Sequence, residues 1–274
     1  MKIIAKEVIA DCPGAKIVKL VLASAQISQK AQAGQFVVVM VDEKGERIPL
    51  TIVDADSQAN TITLIFQVVG LTTKLLGALD VGDTLYALVG PLGQATKIKK
   101  YGEIILVGGG VGIAEIYPVA KGLKAAGNKV TVILGARTKE ALILEKELKS
   151  LADKIYLLTD DGSSGEQGFT TVVLEKLLKK DKHDLVYAVG PIPMMKKVSE
   201  LGLASKIKTI VSLNALMVDA TGMCGCCRVR VNGEVKFSCV DGPEFLADQV
   251  DWEELEKRNS MYRVKEKHIC KLKF

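Results

Sequence analysis

In the first hundred or so residues, short apolar runs alternate hydrophobic and polar positions. They are rich in Val, Ile and Thr and are separated by turn residues, a pattern typical of β-strands. Six such strands in this length suggest a small closed barrel. One helix is expected over Thr73–Leu79, with Thr72 or Thr73 as its N-cap. The predicted strands are Ile3–Ala10, Lys16–Ala23, Gln35–Val41, Leu50–Asp54, Thr61–Val68 and Thr84–Val89.

From Glu103 onwards the pattern changes to apolar strands that alternate with amphipathic helices. This alternation predicts a parallel sheet with helices on both faces. The expected strands are Ile104–Val107, Lys129–Gly135, Lys154–Thr159, Asp184–Val189 and Lys206–Leu213. The expected helices are one that ends near Gly127, then Ala141–Leu151, Thr170–Lys179 and Pro193–Leu201.

The pattern divides the chain into three expected parts. Residues 1–99 form the barrel and residues 100–213 form the α/β domain. Residues 214–274 form a cysteine-rich module with a charged tail, which holds one expected helix, Val250–Asn259.

Composition and charge exclude several classes of function. The 37 basic and 32 acidic residues give a formal net charge of +5, and the Lys-rich stretches alternate with apolar residues. We interpret them as solvated faces and expect no nucleic-acid partner. The N-terminus has no signal-peptide core, and the longest apolar stretch, 104–120, is broken by glycines, Glu115 and Pro118, so no membrane segment is expected.

Cysteine usage points to a metal centre. Four of the six cysteines lie within sixteen residues, and Cys12 and Cys270 stand alone. This distribution favours a metal site in a reducing cytoplasm over a disulfide framework.

Asp219, Cys224, Cys227 and Cys239 carry the clearest spacing signal. They read as D-x4-C-x2-C with a fourth ligand after eleven more residues, which is the plant-type [2Fe–2S] spacing with a carboxylate in place of the first thiolate. The alternative is a structural zinc site with the three cysteines and one further ligand. Cys226 is ambiguous, and the offset from Cys224 favours Cys227 as the ligand.

The chain around these ligands suits a tight loop and a return hairpin. Gly222 and Gly225 permit the unusual backbone angles that a cluster loop needs. Asn232-Gly233 is a strong two-residue turn signal within Arg228–Phe237. We therefore expect the hairpin to bring Cys239 back beside Cys227.

A glycine-rich loop predicts a nucleotide site. The run 108–112 follows a buried strand and opens a helix, so Gly110, Val111 and Gly112 are candidates to receive a pyrophosphate. The alternative is a plain strand–helix turn. Asp160, Asp161 and Gly190 follow two further strands, and ligands of open α/β sheets lie at such strand ends.

The nucleotide is expected to be NAD(H). Carboxylates at Asp160 and Asp161 would repel a 2′-phosphate and could accept hydrogen bonds from ribose hydroxyls. Arg137 is the one candidate residue that would favour NADP(H).

In the barrel, Arg47 and Thr51 pair a cation with a hydroxyl across a short strand, and 70–74 opens the helix. A phosphate on that helix N-terminus, with Arg47 nearby, is a further expectation.

The order of motifs resembles the ferredoxin–NADP reductase family. Arg-x-Pro-x-Thr, Gly-x-Thr-Thr, Gly-Asp-x-Leu and Gly-Pro-Leu-Gly resemble its FAD half. Gly-Gly-Gly-x-Gly-Ile-Ala, Gly-Ala-Arg-Thr, Thr-Asp-Asp-Gly and Gly-Pro-x-Pro-Met-Met resemble its pyridine-nucleotide half. The resemblance implies an FAD-binding Greek-key barrel, a parallel-sheet NAD-binding domain and a small C-terminal [2Fe–2S] module.

The cysteine module is similar to that of the dihydroorotate dehydrogenase electron-transfer subunits, in which the first ligand is normally Cys. With Asp219 in that place, the chain resembles most closely the small (alpha) subunits of NADH-dependent reduced ferredoxin:NADP oxidoreductases, also described as sulfide dehydrogenase small subunits. The resemblance implies that Arg47, Pro49, Leu50 and Thr51 contact the flavin and its phosphates. It also implies that Gly70, Thr72 and Thr73 hold the FAD pyrophosphate, and that Gly110, Val111, Gly112, Asp160, Asp161 and Gly190 hold NAD(H).

The implied activity is hydride exchange between NAD(H) and FAD and single-electron transfer through the cluster, with no acid–base residue. A large flavin and iron–sulfur subunit is the implied partner and would supply the link to ferredoxin and NADP(H). We expect the tail around Trp252, Tyr262 and His268 to dock it, unless that helix packs on its own domain. The rival interpretations are a dihydroorotate dehydrogenase subunit and a non-catalytic, zinc-stabilised nucleotide-binding protein.

Overall fold

A computed structural model describes residues 1–262 and divides the chain into two compact units. One unit comprises Met1–Gln94, Ala215–Gly242 and the chain from Asp251 onwards. The other comprises Ala95–Asn214 and Pro243–Val250. The cysteine-rich segment is therefore grouped with the barrel strands, and eight residues that follow it belong to the second unit.

The first unit contains a six-stranded antiparallel sheet in the order β1-β2-β5-β4-β3-β6. A bridge between Lys2 and Thr84 joins the first strand to the chain that leads into the last. Alternate apolar side chains fill the interior, with Val18, Leu20, Val37 and Leu64 fully buried. The strands are β1 (Ile3–Cys12), β2 (Ala15–Ala23), β3 (Phe36–Met40), β4 (Arg47–Asp56), β5 (Thr61–Gln67) and β6 (Ala87–Leu92), and the helices are α1 (Ala25–Ser28) and α2 (Leu71–Ala78).

The second unit is built on a seven-stranded sheet in the order β10-β9-β8-β7-β11-β12-β15. Neighbours from β10 to β12 are parallel, and β15 is antiparallel to β12. The strands are β7 (Glu103–Gly109), β8 (Lys129–Ala136), β9 (Lys154–Thr159), β10 (Glu166–Gln167), β11 (Leu185–Val189), β12 (Thr209–Ser212) and β15 (Glu244–Leu246), and the helices are α3 (Ile113–Ala125), α4 (Glu145–Leu151), α5 (Thr170–Lys180) and α6 (Ile192–Ala204).

The central strands β7, β8 and β11 are apolar almost without interruption because both faces of a parallel sheet are covered. Together with the antiparallel barrel, this sheet confirms the predicted fold class.

The cysteine-rich segment adds a two-stranded hairpin, and one helix follows it in the first unit. The hairpin strands are β13 (Arg228–Val231) and β14 (Glu234–Phe237), and the helix is α7 (Trp252–Asn259). Asn232 and Gly233 form the turn with φ values of 50° and 77°, which is the left-handed pair that a two-residue hairpin turn requires. The hairpin prediction is confirmed.

Several predicted boundaries were wrong for local backbone reasons. The helix expected over Ala141–Leu151 begins only at Glu145, because Leu144 is left-handed with a φ of 55°. The strand expected from Lys206 begins at Thr209, because Lys206 is also left-handed. The strand expected over Leu50–Asp54 is longer, since β4 continues the ladder with β3 back to Arg47.

Two further elements were misplaced or missed. The last barrel strand begins at Ala87, three residues later than expected, since Thr84 forms only an isolated bridge. Strand β15 was not predicted. Among the described residues, no helix combines the length and apolar character that crossing a membrane would need.

A buried polar network connects four segments of the second unit. The Tyr187 hydroxyl lies 3.1 Å from Glu115 Oε1 and 2.8 Å from Glu244 Oε1, and Thr96 Oγ1 lies 2.5 Å from the same Glu244 oxygen. A phenol has one proton to donate, so two carboxylates on either side of it require a further proton on one carboxyl. Burial raises the pKa of Glu244, against the opposing effects of Thr96, Tyr187 and Lys97. Glu244 is therefore a carboxyl suited to carry that proton.

This network predicts a pH-dependent contribution to stability. An unfolded glutamate titrates near about pH 4.3, and the folded Glu244 titrates higher, so between the two values the folded state binds more protons than the unfolded state. The free energy of unfolding should then fall as pH rises through this window. The loss is about 1.4 kcal/mol for each unit by which burial raises the pKa.

Glu244→Gln keeps an oxygen acceptor but cannot ionise, so it should remove that loss. Urea unfolding at several pH values from about 4 to about 8 measures the difference. The variant should match the wild type at the acid end and be the more stable protein at neutral pH. Parallel curves for the two proteins would contradict a protonated Glu244.

Candidate functional site

The glycine-rich loop lies at the carboxyl edge of the parallel sheet, between two central strands. Gly110–Gly112 form a single helical turn between β7 and α3, and Gly110 has a φ of 57°. A Cβ on Gly112 would lie 2.7 Å from the Val189 carbonyl oxygen at the end of β11, so only glycine fits there. This close approach leaves the amide end of α3 open toward the sheet edge, which suits a pyrophosphate.

Gly190 belongs to the same cluster of strand ends. Its Cα position lies so close to Gly109 that an added Cβ would be 3.1 Å from the Gly109 Cα. Met194 packs against both glycines, and Met195 is fully buried, so both methionines are packing residues. The predicted residues Gly110, Gly112 and Gly190 are thus brought together.

The loops after β8 and β9 lie next along this edge and are tied to each other. The Asp161 backbone N–H donates to the Arg137 carbonyl at 3.3 Å, and the Lys139 backbone N–H donates to Ser163 Oγ at 2.8 Å. Asp161 Oδ1 accepts from both the N–H and the hydroxyl of Ser163, and these bonds lower the pKa of Asp161. The Asp161 side chain therefore stabilises its own loop. The neighbouring residues Asp160 and Arg137 are exposed and lie at the strand ends, where a ribose could reach them.

In the barrel, the predicted flavin residues divide between the two faces of β4. This strand pairs with β3 from Arg47 opposite Met40 to Thr51 opposite Phe36. Because side chains alternate along a strand, Arg47, Pro49 and Thr51 share one face, and Leu50 is on the other. Leu50 packs against the barrel core. Contact of all four residues with a flavin stays a prediction.

The N-terminus of α2 is capped differently from the expectation. Thr72 or Thr73 as N-cap was wrong, because Gly70 holds that position and Thr73 is the third helical residue. Thr73 Oγ1 accepts from the N–H groups of Val69 and Gly70, both at 2.9 Å. Thr72 is buried, and its hydroxyl donates to Glu46 Oε2 at 2.5 Å. The part of this helix end suited to a phosphate is therefore the backbone N–H groups of its first turn.

The hairpin brings two predicted cluster ligands together. Arg228 pairs with Phe237 across the ladder, and the Ser238 N–H donates to the Cys227 carbonyl at 3.0 Å. As a result, the Cys227 and Cys239 sulfur atoms lie 3.1 Å apart, both almost completely buried. Burial raises the pKa of Cys239 to about 12, so its thiolate would need a metal partner to form at neutral pH.

Cys224 and Asp219 occupy the outer part of the same loop. The backbone N–H groups of Cys226 and Asp219 donate toward the Cys224 sulfur and lower the pKa of Cys224. Ala220, Gly222 and Gly225 are left-handed with φ values of 59°, 83° and 66°, which lets the loop turn its amides inward. Burial raises the pKa of the adjacent Cys226.

The predicted ligands are arranged in two pairs. The loop presents a buried sulfur pair, Cys227 and Cys239, and a more exposed pair, Cys224 and Asp219. A [2Fe–2S] cluster has two irons and four protein ligands, which suits two pairs.

Helix α7 supports the loop from one side. The Asp251 N–H donates to the Arg230 carbonyl at 2.9 Å, and Arg230 Nε donates to Glu254 at 2.9 Å. Arg258 Nη2 donates to the Cys226 carbonyl at 2.9 Å. No sequence pattern predicted the role of Arg258, because its partner lies 32 residues earlier and is a main-chain oxygen.

The predicted docking tail is only partly described. Trp252 starts α7 and is 9% exposed, and Tyr262 is exposed. His268 lies outside the described residues.

Family models match two parts of the chain. Residues 214–251 match the iron–sulfur cluster binding domain of dihydroorotate dehydrogenase B. Residues 106–200 match the oxidoreductase NAD-binding domain. The first match supports an iron–sulfur cluster at the cysteine loop over the alternative of structural zinc.

Proteins of similar sequence and structure cover nearly the whole chain. A dihydroorotate dehydrogenase B (NAD(+)) electron transfer subunit homolog of Thermotoga maritima is 50% identical over 248 residues, 89% of this chain and 86% of that protein. The dihydroorotate dehydrogenase B electron transfer subunit of a Geobacillus species is 34% identical over 85% of this chain and 92% of its own length. A structure of NADH-dependent reduced ferredoxin-NADP oxidoreductase, described for flavin-based electron bifurcation, has a chain that is 46% identical, with a TM-score of 0.91 over 97% of this chain and 95% of that one.

The role of Asp219 as a cluster ligand is the prediction about this site that a mutation tests most directly. Asp219→Ala should weaken cluster retention about tenfold or more, or let water or Cys226 take the position, because one iron loses a charged donor. Asp219→Cys should keep the cluster and shift its potential, since ligand type is a lever on potential.

Iron content and the EPR spectrum of the reduced protein measure both effects. Asp248→Ala, which removes an exposed carboxylate outside the loop, is the matched control and should leave both unchanged. If Asp219→Ala leaves the EPR signal and the potential as they are in the wild type, Asp219 is not a ligand.

Proposed function

Because the chain belongs to the family of dihydroorotate dehydrogenase B electron transfer subunits and their homologues, we propose that it exchanges a hydride between NAD(H) and FAD and passes single electrons through a [2Fe–2S] cluster. The observation that carries the proposal is that one chain of oxidoreductase fold contains both a nucleotide-binding domain and an iron–sulfur cluster binding domain. When bound, the flavin supplies the step between two-electron hydride chemistry and one-electron transfer.

The residues of this chain would bind the nicotinamide nucleotide and distinguish NAD(H) from NADP(H). The amide end of α3 and the Gly110–Gly112 turn would receive the pyrophosphate, and Gly190 allows the close approach of the neighbouring loop. Asp160 would accept hydrogen bonds from a ribose and repel a 2′-phosphate, which favours NAD(H).

In the barrel unit, the first-turn amides of α2 and the face of β4 that carries Pro49 and Thr51 would hold FAD. The cluster would be held by Asp219, Cys224, Cys227 and Cys239 in two pairs. Its loop amides would orient the sulfur atoms, and their N–H···S bonds are a second lever on its potential.

We further propose that the chain works as one subunit of a heterodimer. Apart from the three proposed cysteine ligands and Cys226, Cys12 is the one remaining cysteine among residues 1–262. The described part of the chain therefore has no ligand set for a second cysteine-ligated cluster. Electrons must therefore leave through a partner, which we expect to be a large flavin and iron–sulfur subunit that connects to ferredoxin and NADP(H). Whole-chain similarity to a chain of NADH-dependent reduced ferredoxin-NADP oxidoreductase supports this choice.

The rival function is electron transfer for dihydroorotate oxidation. The match to the cluster domain of dihydroorotate dehydrogenase B favours it. The 50% identical homolog of Thermotoga maritima also carries the dihydroorotate dehydrogenase name. Asp219 in the first ligand position weighs against this function, as does the identity of 34% to the Geobacillus subunit against 46% to the chain of the ferredoxin-NADP oxidoreductase structure.

The purified chain, tested alone, should reduce an artificial dye with NADH and at least tenfold less efficiently with NADPH. It should not couple NADH, ferredoxin and NADP until the co-purifying large subunit is added back. Steady-state assays with and without that subunit measure both properties.

Full coupling by the isolated chain would contradict the subunit role. Restored dihydroorotate oxidation, in place of ferredoxin-linked NADP reduction, would select the rival function. Equal efficiency with NADPH would contradict the role given to Asp160.

A further inference from the structure

Arg47 makes a contact that its predicted flavin role does not explain. It is the first residue of β4, and its Nη1 lies 3.1 Å from Asp219 Oδ1 across 172 positions of sequence. Asp219 is the proposed carboxylate ligand of the cluster. The guanidinium of a residue expected at the flavin thus contacts the cluster loop.

The preceding residue points to the other cofactor site. Glu46 accepts from the Thr72 hydroxyl at the first turn of α2, where the flavin pyrophosphate is expected. Glu46 immediately precedes β4 and Arg47 begins it, and their side chains have different partners. Glu46 contacts the proposed phosphate helix, and Arg47 contacts the proposed cluster loop.

The hydrogen bonds on Asp219 are compatible with iron ligation. Its Oδ2 accepts from the Thr221 hydroxyl, and its Oδ1 accepts from Arg47. A carboxylate has about four lone-pair sites on two oxygens, so each oxygen keeps a site for a metal after these bonds. The two donors hold the carboxylate in one orientation without consuming its capacity as a ligand.

We propose that Arg47 is a positioning residue of the iron–sulfur cluster, which orients Asp219 and raises the reduction potential of the cluster through its charge. The inference rests on the proposed function, in which Asp219 is a ligand. A cation beside a ligand favours the reduced cluster, because reduction adds one negative charge. The side chains of Arg47 and Asp219 are 51% and 27% exposed, so solvent screens the effect without abolishing it.

The test is an EPR-monitored redox titration of the full chain, purified anaerobically with any subunit that co-purifies. Arg47→Gln should make the cluster harder to reduce, with the ratio of reduced to oxidised cluster about tenfold lower at a fixed ambient potential, about 59 mV for one electron. Arg47→Lys keeps the charge and should restore most of the shift. FAD content, measured in both variants, separates an effect on the cluster from an effect on flavin binding.

Lys44→Gln is the matched control. Lys44 is exposed, lies three residues before Arg47, and loses the same charge without the contact to Asp219. It should change the cluster ratio less than about twofold, because exposed charges farther from the cluster are screened.

Each remaining outcome overturns the inference in a different way. Loss of FAD in Arg47→Gln with an unchanged cluster potential would show that Arg47 binds the flavin and does not act on the cluster. An equal shift in Lys44→Gln would show a general charge effect. An unchanged potential in Arg47→Gln, while Asp219→Ala disturbs the cluster, would refute the role of Arg47 and leave the ligand assignment standing. If neither Arg47→Gln nor Asp219→Ala changes the cluster, both the role of Arg47 and the ligand assignment of Asp219 are refuted.

Discussion

The register of one short hairpin is the constraint on which the cluster loop depends. Pairing of Arg228 with Phe237 around the Asn232-Gly233 turn brings Cys239 beside Cys227, although eleven residues separate them. A slip of one residue would turn every side chain of the hairpin to the opposite face. The positive φ values at both turn residues fix the turn type and therefore the register. Without this geometry the Cys227–Cys239 sulfur pair would not form, and the proposed ligand set would lose two of its four members.

The two units use burial and charge in different ways. In the parallel-sheet unit, glycines clear the strand edge for a nucleotide while the polar groups of Tyr187 and Glu244 are satisfied within the core. In the barrel unit, the charged side chains near the cluster loop remain partly exposed, as Arg47 and Asp219 show. Electron transfer requires access and tunable potentials rather than a sealed acid–base site, so a partly exposed, charge-balanced loop suits the proposed role.

The sequence predicted local features far better than long-range side-chain contacts. The hairpin, the glycine loop and the strand–helix alternation follow from turn chemistry and hydrophobic period, which act between near neighbours. Left-handed Leu144 and Lys206 carry no sequence signal, since neither is Gly or Asn, and they shifted two element boundaries. The contacts of Arg47 with Asp219 and of Glu46 with Thr72 depend on how distant segments pack, so no periodicity could reveal them. Likewise, alternation along β4 separates Leu50 from Arg47 only once the barrel core has been identified.

The most direct test of the account is cofactor quantification on the anaerobically purified chain, combined with its visible spectrum before and after NADH. The account predicts about one FAD, about two irons and about two acid-labile sulfides per chain, with overlapping flavin and cluster absorption that NADH bleaches. A colourless protein that contains zinc, or a flavin-free chain whose absorption does not respond to NADH, would contradict it.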